Sequence, residues 1–171
     1  ILPPAHQLVH ANTPPLLQLG RIHGLRYEYA AAERCFDPAL PLAPPTAGLL
    51  NAIAAACENF RNPELAERYL RRAIDQPEVT GATCVKLAEL YERLRRVPEA
   101  GQLVDRALTL NPAFPAARLV RARLERLAGQ PEAAEQVLRS FLDKAISDPW
   151  VQVQAWYEMG QILDRQNRFD E

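Results

Sequence analysis

Lysine is almost missing from this chain: Lys86 and Lys144 stand against 18 arginines in 171 residues. That imbalance reads as a bias towards GC-rich codons, as in many bacterial genomes, rather than as chemistry. Net charge is missing too. Twenty basic and 21 acidic residues leave −1, so no field steers the chain to nucleic acid or to an acidic membrane. No apolar run reaches the roughly 18 residues of a transmembrane helix, which excludes membrane insertion by that route. The seven glycines do not cluster, so no phosphate cradle is built from them. G-x-S-x-G, P-loop and H-E-x-x-H motifs are absent, and with them the usual signatures of a nucleophile or a metal protease. Three widely spaced cysteines, Cys35, Cys57 and Cys84, make neither a disulfide framework nor a metal pairing. No cofactor and no activity of this chain alone is expected. The start, Ile1-Leu2-Pro3-Pro4-Ala5, has no initiator Met and no signal-peptide layout, as expected of a piece of something longer. The compartment therefore stays open, with the cytoplasm slightly favoured.

What is present is a small residue that returns every 34 positions: Gly20, Ala54, Ala88 and Ala122. Twelve residues after each comes an alanine: Ala32, Ala66, Ala100 and Ala134. Self-similarity at a period of about 20–50 residues is the mark of a solenoid or array, which is built as a surface. Residues 81–114 form the cleanest unit. Cys84, Leu87, Ala88 and Tyr91 lie on one face of a helix. Pro98 suits the first turn of a second helix, whose stripe is Ala100, Val104, Ala107 and Leu108. Asn111-Pro112 ends it. The unit is helix, short turn, helix, stop.

These residues resemble the tetratricopeptide repeat, whose pattern is W-x2-L-G-x2-Y, then A-x3-F, then P. Unit 81–114 has Cys84-x2-Leu87-Ala88-x2-Tyr91 and Ala100-x3-Val104. Unit 47–80 has Leu50-x2-Ile53-Ala54-x2-Cys57 and Ala66-x3-Leu70, and unit 13–46 has Leu16-x2-Leu19-Gly20-x2-His23 and Ala32-x3-Phe36. The final segment has Trp156-x2-Met159-Gly160-x2-Leu163, then Asn167-Arg168-Phe169-Asp170-Glu171. The resemblance implies an all-α fold, an α-solenoid of antiparallel helix-turn-helix units stacked into a right-handed superhelix. It implies repeats at 13–46, 47–80, 81–114 and 115–152, and the first helix of a fifth at 153–171, all in one solenoid domain. Residues 1–12 are then the tail of a preceding helix or a linker. The small residues are expected at the crossing of helices A and B, where nothing larger than a methyl group fits.

Unit 115–152 departs from the pattern. Arg118 and Arg121 stand at apolar positions, Phe141 replaces an alanine, and Gly160 lies 38 after Ala122. Helix B of that unit is expected to be one turn longer, over 131–147. In unit 13–46, Asp37-Pro38 ends helix B early, and residues 38–45 read as an extended connection. The histidine pair His6 and His10 reads as solvated rather than metal-binding, and His23 as a half-buried packing residue. Cys57 and Cys84 fall at apolar repeat positions and read as buried free thiols. Glu89 and Glu92 could do acid–base work, but read as a solvated helix face, where Glu92→Ala costs little.

The resemblance also implies a groove lined by the A helices, which takes a protein or peptide ligand. Carried over, its residues are Arg21, Asn51, Glu58, Glu89, Glu92, Arg93, Arg123, Arg126 and Tyr157. Gln154, Gln161 and Asp164 accompany Tyr157. The carboxylate clamp of chaperone-tail-binding relatives is disfavoured, because of Leu17, Arg21, Ala52, Ala82 and Lys86 only Lys86 keeps its type. Along the groove the charge changes from acid at Glu58, Glu89 and Glu92 to base at Arg93, Arg123 and Arg126, implying a ligand of opposite pattern. Two other readings stand beside this scaffold. One is the accessory repeat region of a larger bacterial enzyme of the sulfotransferase type. The other is a self-association module, with one molecule's terminus in another's groove.

Overall fold

The computed structural model describes residues 16–37, 46–143, 146 and 148–166. The expectations for residues 1–12, for His6 and His10, for 38–45 and for 167–171 lie outside the described residues. Apart from a 3-10 residue at Asp37, every regular element among the described residues is an α-helix. They are α1 (16–25), α2 (Tyr29–Phe36), α3 (Ala47–Asn59), α4 (Pro63–Ile74), α5 (Gly81–Arg93), α6 (Val97–Leu110), α7 (Pro115–Leu127), α8 (Pro131–Leu142) and α9 (Pro149–Arg165). Odd-numbered helices are the A helices of the repeats and even-numbered ones the B helices. The chain forms two compact units, Ile1–Val79 and Thr80–Glu171.

The 34-residue period is written into the backbone as well as the core. Among the described residues, those with positive φ are Tyr27 (62°), Arg61 (58°), Arg95 (61°) and Gly129 (78°), each 34 after the last. At each, the helix A ends in a left-handed residue. The following N–H then reaches back five residues, from Glu28 to His23, Asn62 to Cys57, Arg96 to Tyr91 and Gln130 to Glu125, at 2.8–3.0 Å. This is the Schellman motif, which satisfies the last carbonyls of a helix and turns the chain sharply. The A helices α3, α5, α7 and α9 start with the same regularity. Their N-cap residues are Thr46, Thr80, Phe114 and Asp148. Thr46 accepts from Leu49 N–H, Thr80 from Thr83 N–H, and Asp148 from Trp150 and Val151 N–H.

In the first unit the small residues sit where aromatic rings press on a helix. A methyl group on Gly20 would come within 2.2 Å of the Phe36 ring, and one on Gly24 within 2.3 Å of the Phe60 ring. Phe36 packs edge-on against Tyr69 at 6.0 Å, and the Tyr69 hydroxyl donates to Asp37 Oδ1 at 3.2 Å. His23 does more than pack: its Nδ1 lies 2.6 Å from Glu28 Oε2 across the turn, and that hydrogen bond holds the Glu28 carboxyl below its usual range. Cys57 is fully buried, and burial pushes its thiol up to about 12.

In the second unit, Ala88, Ala100, Ala122 and Ala134 are buried to within 1%. Large side chains interdigitate around them, as close helix packing requires. Leu119, Leu138, Phe141, Val151, Met159 and Ile162 form the core where α7, α8 and α9 meet. Phe141 takes the place of Ala73 and Ala107 of the preceding repeats and is buried in that core. The two arginines at apolar positions keep their heads at the edge. Arg118 donates from Nη2 to the Pro112 carbonyl at 2.9 Å, and Arg121 pairs with Asp105.

The expected lengthening of helix B to residue 147 is not met. Helix α8 stops at Leu142, Asp143 is a turn, and Ile146 is not helical. Pro149 begins α9 34 residues after Pro115 began α7, so no residue is inserted before that start. The extra turn lies within α9, which has 17 residues where α3, α5 and α7 have 13. Gly160 keeps its distance from the helix end, six residues before the C-cap Gln166, as Ala122 is six before Ala128. It does not sit at a crossing among the described residues: a methyl group there would meet nothing within 4 Å.

Candidate ligand face of the A helices

Residues three apart on a helix share a face. Glu89 and Glu92 on α5, and Arg123 and Arg126 on α7, therefore form two rows, and the 34-residue period sets the rows side by side. The structure joins them. Arg123 Nη2 donates to Glu89 Oε1 at 3.1 Å, and Arg123 Nε lies 3.0 Å from Glu92 Oε2. Arg126 Nε donates to Glu158 Oε2 of α9 at 2.9 Å. The face is a ladder of acid, base and acid across α5, α7 and α9.

The ladder is largely shielded from water. Arg123 and Glu92 side chains are each 15% exposed. The Glu92–Arg123 contact is an ion pair by distance only: the Nε–H does not point at the oxygen, and Nε is buried with no hydrogen-bond acceptor. Burial raises the Glu92 carboxyl above its usual range. Arg123 and then Arg126 pull it back, and Glu89 and Glu158 push it further up. The reading of Glu92 as a plain solvated surface residue is thus corrected, because the neighbouring repeat covers it.

At one end of the ladder a pocket of about 210 Å³ opens beside Arg126, lined also by Gly129, Pro131, Ile162, Arg165 and Gln166. Gly129, at the left-handed turn, has no side chain to close it. Gln166 donates to Glu132 Oε1 at 3.3 Å across the 34-residue step.

The structure gathers four of the nine expected groove residues, Glu89, Glu92, Arg123 and Arg126. Arg93 is exposed on α5. Arg21, exposed on α1 beside Gln18, and Asn51 and Glu58, half-buried on α3, belong to the first unit. Tyr157 is exposed on α9 and does not join the ladder. The residue that does, Glu158, is not among the expected positions: it lies 32 residues after Arg126, whereas the 34-residue step from Arg123 and Arg126 falls on Tyr157 and Gly160. No three His, Cys, Asp or Glu side chains gather to hold a metal among the described residues.

Residues 85–149, which include the α5–α7 part of the ladder, match the family model described as tetratricopeptide repeat. No curated protein sequence matches the chain. Three solved structures share the fold. The MamA protein is 14% identical, with 93% of this chain and 85% of that one covered and a TM-score of 0.67. YrrB, described as a TPR protein with an unusual peptide-binding site, is 16% identical, with 98% and 86% covered and a TM-score of 0.63. PilF of Pseudomonas aeruginosa is 20% identical, with 93% and 71% covered and a TM-score of 0.66. No helix among the described residues is long and apolar enough to cross a membrane.

Proposed function

We propose that this chain, a tetratricopeptide-repeat protein, is a scaffold that holds a peptide or protein segment on the A-helix face of its second unit. The observation that carries this reading is the ladder itself, Glu89 and Glu92 with Arg123, and Arg126 with Glu158. Ionic side chains held largely out of water are costly to keep, and a hydrophobic replacement would serve stability as well. Their presence on one face is accounted for by recognition. Because the acids meet the bases within the chain, a ligand does not need an ordered run of opposite charges. A segment with backbone carbonyls and polar side chains fits better, since it offers both donors and acceptors to a face of alternating charge. Rigid repeats present such a face ready-made, which limits the ordering cost of binding.

Selection of peptides from a displayed random library on the chain tests the proposal. Selected peptides are expected to lose about tenfold or more in affinity on Arg123→Ala, a loss of about 1.4 kcal/mol. Gln136→Ala, on the exposed side of α8, is expected to leave binding unchanged. Peptides that respond to the second change and not to the first would overturn the assignment.

A further inference from the structure

The ladder carries more acid than base. Three carboxylates, Glu89, Glu92 and Glu158, face two guanidiniums, Arg123 and Arg126. Arg126 pairs with Glu158, and Arg123 is shared between Glu89 and Glu92, so one negative charge is left over. Water does little to offset it, because four of the five side chains are only 11–16% exposed. The charges that act on Glu92 are Arg123, Arg126, Glu89 and Glu158, and the result is a carboxyl held above its usual range. Arg93, the next residue of α5, is not one of them. Lys86 lies one turn before Glu89 on α5, and Arg165 two turns after Glu158 on α9. Both are exposed, and neither pairs with a ladder carboxylate among the described residues.

We infer that the missing cation is supplied by the ligand: the segment held on this face carries one lysine or arginine, whose head seats against Glu89 and Glu92 beside Arg123. This rests on the reading of the face as the ligand site and adds the charge of the residue it selects. Glu89 is the way in, since its side chain is 38% exposed where the other four are shielded. Lysine and arginine have a long apolar stem, which lets the charged head reach a shielded carboxylate while the ligand backbone stays outside. A metal ion is a poorer occupant. Hard cations need several oxygens around one centre, whereas the arginines here stand between the carboxylates. No such gathering of ligands exists among the described residues. A neutral segment would cover Glu89, remove its water and leave the charge uncompensated. An acidic one would add a second. A single positive charge is enough, because a second would meet Arg123 and Arg126.

Peptides selected from a displayed random library on the full 171-residue chain are the probe. Those that lose affinity on Arg123→Ala bind the face, and a lysine or arginine is expected at one fixed position among them. Replacing that residue by glutamine is expected to weaken binding about tenfold. A Glu89→Gln chain has two acids against two bases, and is expected to keep its helical circular dichroism because Glu89 is partly exposed. On that chain the same replacement in the peptide is expected to change affinity by less than about twofold, since the pair that it would break is already gone. Selection repeated on Glu89→Gln is expected to show no preference for a basic residue. Face-binding peptides without a basic residue, or with one whose replacement costs the same on both chains, would overturn the inference and leave the face as the ligand site. A library that yields no peptide sensitive to Arg123→Ala overturns both.

Discussion

Gly129 and Gly160 look alike to a packing argument, since a methyl group at either would meet nothing within 4 Å. They differ in backbone. Gly129 has φ +78° at the turn after α7, and Gly160 is inside α9. A left-handed conformation costs an L-residue about 1–2 kcal/mol, partly offset by the about 0.4–1 kcal/mol gained when the unfolded chain loses a glycine. Gly129→Ala is therefore expected to destabilise by about 0.5–1.5 kcal/mol. At Gly160 the helix already demands what alanine prefers, and Gly160→Ala is expected to stabilise by about 1 kcal/mol. For a chain of this length that is about 2–4 °C in the unfolding midpoint per kcal/mol. The midpoints are read from circular dichroism melts at low micromolar protein. Equal shifts, or shifts of the same sign, would refute the assignment of residue 129 to a left-handed turn position or of residue 160 to the helix.

The same turn logic makes Arg61→Gly and Arg95→Gly neutral to stabilising, by up to about 1 kcal/mol each, measurable as urea midpoints. Ala88→Leu is expected to cost about 1–3 kcal/mol, because Ala88 is fully buried and the core has no room for three more carbons. Glu92 is raised in the folded state, so the stability linked to it is full below the ordinary value of 4.5 and is lost as pH rises through the raised one. Glu92→Gln, which leaves Arg123 its bond to Glu89, is then expected to melt above the parent at pH 7 and level with it at pH 4. Arg123→Ala, which leaves Glu92 shielded without its nearest cation, is expected to cost about 1–3 kcal/mol, with the partial exposure of Glu89 holding it to that range. Thiol titration of the native chain is expected to label Cys35 first. Cys57 and Cys84, buried with raised thiols, react only on unfolding.

The helices were legible in the sequence because the spacing of small residues reports the one feature that tolerates no variation, the close helix crossing. The left-handed turns were not, because Tyr27, Arg61 and Arg95 carry no glycine to announce them. The end of α8 was misread for a specific reason. Asp148-Pro149 looks like the end of a helix, yet an aspartate before a proline also begins one, and here Asp148 caps α9. Glu158 was hidden for another reason: it lies 32 residues after Arg126, off the 34-residue step. The pairing of Glu89 with Arg123 was within reach, since residues one period apart on A helices are neighbours. Listing the groove repeat by repeat treated each charge as if it faced solvent.

The face built by α5, α7 and α9 is proposed to receive the ligand. Titration of the isotope-labelled chain with a selected peptide, followed by amide chemical shifts, tests it most directly. The largest changes are expected at Glu89, Glu92, Arg123, Arg126 and Glu158. Changes confined to the B helices, or to α9 around Trp150 and Trp156, would contradict it.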